Sequence, residues 1–177
     1  ALARALDDSP GRGFALPADA RDESQLVAVF DEVRRRWDGV DILVNSAGLG
    51  HVAPLMSGDT EAWREMLEVN VLALAVCTRE AIQDMRRRGD RGQVVHVSSM
   101  SGHRVPTGTG GMYSATKHAV RAMTEALRRE LRAQESQIRV AAVSPGYVET
   151  EFAAVMSGSE ERARATYARF ACLQPVD

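Results

Sequence analysis

The sequence predicts an α/β fold, an open, doubly wound parallel sheet with helices on both faces. Two observations carry this. Short apolar runs alternate with longer stretches whose apolar residues recur at helical spacing. Three of these runs also stop at clusters of small or polar residues (NSAG, SSMSG and SPG), as buried parallel strands do where they turn into helices.

Residues 13–17 (GFALP) read as a short buried strand. Residues 22–37 read as a helix, with Leu26, Val27, Val29, Phe30, Val33 and Trp37 on one stripe and Asp22 and Glu23 at its N-terminus. Residues 41–44 (DILV) form the next strand. Thr60 caps a long helical stretch running to about residue 88, interrupted near Asn70, with Trp63, Leu67, Val71, Leu74 and Ile82 as its buried face. Residues 93–97 (QVVHV) are a strand, followed by a Gly-rich loop over 102–111. Residues 112–133 are a helix with Val120, Met123, Leu127 and Leu131 on one side. Residues 138–143 are a strand and 160–170 a more polar helix. No repeat or linker divides the chain, so 1–177 reads as one domain. Residues 1–12 resemble the tail of a helix and a turn, and 174–177 stop in a loop. The order reads as an excerpt of an α/β domain lacking material at both ends.

Composition excludes several classes. A net charge of −2 gives no electrostatic footprint for nucleic acid or an anionic membrane. No apolar run approaches a membrane-spanning length. Cys77 and Cys172 are too few for a disulfide framework, which makes a reducing cytoplasm the default setting. His51, His96, His103 and His118 fall in no metal-binding spacing, so no metal is expected. His96 reads as a packed or solvated side chain, Cys77 as core, and the Arg runs at 34–36 and 86–88 as solvated helix ends. The basic residues are all Arg except Lys117, and the only Asn residues are Asn45 and Asn70. Arg cannot replace Lys where a compact ammonium must sit beside a titrating group.

Ligands of open parallel sheets bind beyond the carboxyl ends of the strands. Three such ends here, 45–48, 98–102 and 144–146, carry residues small enough for close backbone approach. Tyr113 and Lys117 lie four apart near a helix start, one turn from each other on one face. A nearby ammonium and a helix N-terminus both favour phenolate, which suits a tyrosine to proton transfer in carbonyl/alcohol chemistry. Ser99, at a strand end, is placed to hydrogen-bond the same substrate oxygen.

These residues resemble the short-chain dehydrogenases/reductases. Residues 45–48 (NSAG) are similar to that family's Asn-Asn-Ala-Gly segment, with Ser46 for the second Asn. Residues 69–71 (VNV) are similar to its helix Asn, 97–102 (VSSMSG) to its catalytic Ser segment, 113–117 (YSATK) to its Tyr-x-x-x-Lys signature, and 145–150 (PGYVET) to its cofactor-binding Pro-Gly loop. The likeness covers essentially the whole chain and leans toward the NADP-dependent ketosteroid and carbonyl reductases. It implies a Rossmann-like domain binding NADP or NAD, with NADP favoured, and hydride transfer between nicotinamide C4 and a substrate carbonyl carbon. It implies a tetrad of Asn70, Ser99, Tyr113 and Lys117. Tyr113 would exchange the proton and Ser99 would position the oxygen. Lys117 would depress the Tyr pKa and hold the ribose, and Asn70 would hold a water linking Lys117 to bulk. Asp19 would contact adenine, while Asn45, Ala47, Gly48, Tyr113, Lys117, Pro145, Gly146, Val148 and Thr150 would line the cofactor. The substrate would be a small hydrophobic ketone or alcohol, and the complete protein a homodimer or homotetramer. Two departures stand out. Ser99 to Tyr113 is one residue longer than the family's usual spacing, which leaves Ser101 as an alternative serine. The family's first strand and Gly-rich pyrophosphate loop are missing from this sequence, as is its last strand. A non-catalytic dinucleotide-binding or interaction protein on the same fold, or an inactive fragment, are the alternatives.

Overall fold

The computed structural model describes residues 11–106 and 110–175. Their order is α1 (Glu23–Trp37), β1 (Ile42–Asn45), α2 (Thr60–Leu67), a π-helical turn (Glu68–Leu72), α3 (Ala73–Arg87), β2 (Arg91–Val97), a 3₁₀ turn (Met100–Gly102), α4 (Gly111–Ala133), β3 (Gln137–Val143), α5 (Phe152–Ser157) and α6 (Glu160–Tyr167). The three strands form a parallel sheet in the order β1-β2-β3, with Asn45 beside His96 and His96 beside Ala142. This Rossmann-like arrangement brings all three strand ends to one edge.

Period-two alternation sets the core. Val94 and Ile138 turn to the helix layer and join Phe30 of α1, Ala81 and Met85 of α3, and Leu131 of α4, with Leu43, Val140 and Cys77 packed around them. Ile42, Val44 and Val143 point to the opposite face and are exposed. Asp22 starts α1 by accepting from the Ser24 and Gln25 amides, and hydrogen bonds from the Ser24 hydroxyl and the Gln25 side chain are the main cause that holds its carboxyl below the usual range. Arg34 then ties α1 to α3. It donates from Nε to Asp84 Oδ1 (2.7 Å) and from Nη2 to Glu80 Oε2 (2.8 Å), and Asp84 is fully buried. Of the 34–36 run, Arg34 is therefore a structural tether rather than a solvated charge.

Three other expectations are corrected. Residues 13–17 form no strand. Among the described residues no strand lies on the free edge of β1 to complete their ladder, and a lone strand cannot satisfy its backbone groups. Phe14 packs instead edge-on against Trp37 (4.7 Å between centroids) and beneath the Arg36 guanidinium. The long helix begins after Asp59 rather than Thr60, and its buried face is only partly the one expected: Leu74 is buried and Ile82 packs on the core, but Leu67 is not. Met66, Val69, Asn70, Ala73, Leu74, Val76, Ala81 and Met85 are buried, while Leu67 is exposed. The π turn is the cause: its i→i+5 bonding, with the Ala73 amide reaching back to the Glu68 carbonyl, rotates the downstream residues relative to a regular helix. The final helix stops at Tyr167 instead of 170. It is preceded by the short α5, which has no side-chain cap of its own at Glu151. Expectations for residues 1–10, 107–109 and 176–177 lie outside the described residues. No described helix is long and apolar enough to cross a membrane.

Candidate active site

The carboxyl edge of the sheet gathers the predicted residues. Ser99 follows β2 in extended backbone, and its side chain accepts the Ser101 amide (3.0 Å) to start the 3₁₀ turn. The Ser99 loop is pinned on both sides. The Met100 amide donates to the Pro145 carbonyl (2.9 Å), and Arg121 donates to the Gly102 carbonyl (3.0 Å). Gly102 is obligatory here. A Cβ would stand 2.6 Å from the Lys117 carbonyl oxygen and 2.8 Å from Ser98 Oγ, so the loop could not lie against α4. Gly102→Ala is expected to cost about 1–3 kcal/mol through this overlap, seen as a lower midpoint in urea. An unchanged midpoint would show that the contact yields.

Tyr113 lies in the first turn of α4, half-buried, with its ring 5.6 Å from that of Phe152. Burial pushes its phenol above the ordinary value, and a hydrogen bond with Ser99 works in the opposite direction. Ser99 is thus the serine that acts on the Tyr113 phenol, while the Ser101 amide donates to Ser99. Lys117 is 5% exposed, one turn further along. Its Nζ donates to the Val97 carbonyl (3.0 Å) and stands 5.8 Å from the Tyr113 ring centroid, and burial lowers its own pKa. The net shift of the Tyr113 phenol is upward, so burial outweighs the groups that favour phenolate here.

Asn70 lies in the π turn, 1% exposed. Its side chain clamps the loop after β1. Oδ1 accepts the Leu49 amide, and Nδ2 donates to the Leu49 carbonyl, both at 2.8 Å, and also to Thr116 Oγ1 (3.1 Å). That side chain is committed to the protein. Gly48 completes the seat, because a Cβ there would come within 3.3 Å of Asn70 Oδ1 and 3.4 Å of Lys117 Nζ. Asn45 is held by Nδ2 donating to Thr78 Oγ1 (3.0 Å). Ala47, Gly48 and Gly146 are exposed along this edge. A groove floored by small residues, with a buried ammonium at its base, fits a nicotinamide dinucleotide.

The remaining predicted residues are spread around this groove. Val148 pairs with Leu173 in an isolated parallel bridge, so the Pro145–Gly146 loop is stitched to the chain after α6. Thr150 Oγ1 accepts the Phe152 amide (3.2 Å), and Tyr167 brackets the Thr150 backbone. Asp19 is exposed and engaged by Arg21 (2.7 Å), which holds its carboxyl at about 2. Arg21 also reaches Glu65, whose other oxygen meets His51 (2.6 Å), so Asp19 connects to the loop after β1 through a chain of charges. The sequence reading missed Thr116, Thr78 and Phe152. Only Phe152, an aromatic placed shortly after the PGYVET segment, carried a signal that could have found it.

Comparison with known proteins defines the class. The family model described as short chain dehydrogenase matches residues 1–161. Dehydrogenase/reductase SDR family member 11 of Bos taurus is 47% identical over 171 residues, which are 95% of this chain and 67% of that protein. The closed form of a serine dehydrogenase complexed with NADP⁺ superposes with a TM-score of 0.86 at 30% identity, covering 97% of this chain and 69% of that one. A short-chain dehydrogenase/reductase from Burkholderia phymatum in complex with NAD gives a TM-score of 0.82 at 25% identity, covering 86% and 54%. The chain belongs to the short-chain dehydrogenases/reductases, a family of NAD(P)-dependent oxidoreductases. It spans about two thirds of the length of the relatives named SDR family member 11.

Proposed function

We propose that the complete protein interconverts a hydrophobic ketone and its secondary alcohol, with Tyr113 as acid/base. The observation that carries this is the contact of Tyr113 with Ser99 in one cleft, with Lys117 one turn below. In the reducing direction the Tyr113 phenol donates its proton to the carbonyl oxygen, and Ser99 hydrogen-bonds and orients that oxygen. In the oxidising direction the phenolate takes the proton back. Lys117 holds positive charge beneath the ring, which eases the formation of phenolate as the proton leaves. Asn70 clamps Leu49, and the π turn around it offers a main-chain carbonyl out of ordinary helical register as a seat for a water leading from Lys117. Asn45, Ala47, Gly48, Lys117, Pro145, Gly146, Val148 and Thr150 would hold the dinucleotide, with Asp19 at its adenine end. When bound, its nicotinamide supplies or takes up the hydride. Similar solved structures hold NADP⁺ or NAD, and NADP is favoured here on the sequence likeness to the NADP-dependent reductases. The test is Tyr113→Phe, with turnover and dinucleotide affinity measured separately.

The apolar side chains around the cleft support a hydrophobic substrate. Phe152 faces Tyr113, and Met156 and Phe152 both lie against Gly50. Because burial keeps the phenol protonated, reduction should hold through neutral pH, and oxidation should rise toward alkaline pH as phenolate forms. Phe152→Ala admits water to the ring, so the alkaline limb of the oxidation profile should move to lower pH. An unmoved limb would mean that Phe152 does not contribute to the burial. A cytoplasmic setting, a single partial domain over 1–177 and a homodimer or homotetramer complete this reading. The exposed Leu67 and Leu72 flank the π turn as apolar contacts for a second copy.

A further inference from the structure

We infer that His96 is a positioning residue, which fixes Asn45 through Thr78 and ties the cofactor-facing end of β1 to α4. Its importance for the dinucleotide rests on the proposed oxidoreductase function. The hydrogen-bond network itself does not. His96 is 1% exposed, in the middle of the sheet. Its Nε2 lies 3.1 Å from Thr78 Oγ1 and its Nδ1 lies 2.9 Å from Thr124 Oγ1. Thr78 also receives Asn45 Nδ2–H (3.0 Å) and donates to the Leu74 carbonyl (2.7 Å). Thr124 likewise donates to the Val120 carbonyl (2.7 Å).

Counting protons leaves two directions, and the one taken here keeps the Thr78 hydrogen on Leu74. A hydroxyl has one hydrogen and two acceptor sites. Thr78 spends its hydrogen on Leu74 and one acceptor site on Asn45, so the site left for His96 is an acceptor, and Nε2 must carry a proton. Burial holds the His96 pKa down at about 4, so the ring is neutral and Nδ1 is bare. Thr124 must then turn its hydrogen from Val120 to Nδ1. The result is a one-way chain: Thr124 to His96, His96 to Thr78, and Thr78 to Leu74. Asn45 enters at the Thr78 oxygen. Four elements, α4, β2, α3 and β1, are joined in this way just behind the groove. Tyr113 and Lys117 stand on the same helix as Thr124. A ring in the other tautomer would draw the Thr78 hydrogen away from Leu74 and reverse the chain.

The test uses the isotope-labelled protein and two substitutions. Imidazole nitrogen spectra at neutral pH are expected to show His96 protonated on Nε2 and bare on Nδ1. The opposite tautomer overturns the inference. His96→Gln carries an amide out to where Nε2 stands, whereas His96→Asn reaches only the Nδ1 position. The side-chain amide of Asn45 should therefore stay slow to exchange in the Gln variant and become fast in the Asn variant. Dinucleotide affinity should fall about fivefold in the Asn variant, the equivalent of one hydrogen bond, and remain near normal in the Gln variant. Equal behaviour of the two variants would reduce His96 to filling space and sink the proposal. If the Asn variant does not fold, Thr78→Val removes the midpoint of the chain without touching His96. It should free the same Asn45 amide, and a still-protected amide overturns the inference. Should the unmodified protein bind no dinucleotide, the functional reading fails, while the tautomer and the Asn45 amide still decide this one.

Discussion

Tyr113→Phe in the complete protein is expected to lower turnover by about a thousandfold, within the range a positioned acid/base contributes, and to leave dinucleotide affinity within about twofold. The substitution removes one oxygen. The ring still packs against Phe152, Lys117 keeps its bond to Val97, and the Gly48 seat is untouched. What disappears is the only phenol in contact with Ser99 among the described residues. Stopped-flow reduction of a hydrophobic ketone would read the chemical step, and titration calorimetry the binding. Turnover within tenfold of normal would remove Tyr113 as the acid. Loss of binding along with turnover would instead assign the phenol to holding the dinucleotide.

Arg34→Ala is expected to lower the unfolding free energy by about 3 kcal/mol, because it removes the least exposed partner of Asp84 and Glu80 and leaves these two buried carboxylates only the more exposed Arg87 and Arg79. The measurement is urea unfolding at neutral pH, and a loss below about 1 kcal/mol would show that water or Arg79 and Arg87 take over. Glu80 gives this tether a pH signature. Its hydrogen bonds to Arg34 outweigh burial and hold its folded pKa below the ordinary carboxylate value. Folding then binds fewer protons than unfolding as the carboxyl titrates. The stabilisation is complete above the ordinary value of about 4.5 and is lost as pH falls through the lower folded one. Arg34→Ala should flatten that acid limb.

Much of this site could be read from the sequence because its chemistry depends on residue type. Lys117 as the only lysine, and Asn45 and Asn70 as the only asparagines, marked three positions that the fold brings to one edge. The parallel strands at β1, β2 and β3 were equally visible, since apolar runs ending in NSAG, SSMSG and SPG have few other readings. The failures share a cause. Residues 13–17 have strand composition, but pairing is decided by a neighbour and not by composition. The buried face of α2–α3 was partly misassigned because the pattern assumed a constant helical period, and the π turn breaks it. Local spacing shows the Lys117 ammonium and the helix N-terminus beside Tyr113, but not the burial that opposes them. How deeply the phenol lies beneath Phe152 is a tertiary fact that no local spacing records.

The wide turn at Glu68–Leu72 also bears on how the protein can change. It amounts to one residue more than a regular helix requires, so the clamp on Leu49 is written into the chain as an insertion. Loss of a single codon in that stretch would leave a smoother and more stable helix and swing Asn70 away from Leu49. A change selected for thermal robustness alone would therefore erase the clamp together with the turn.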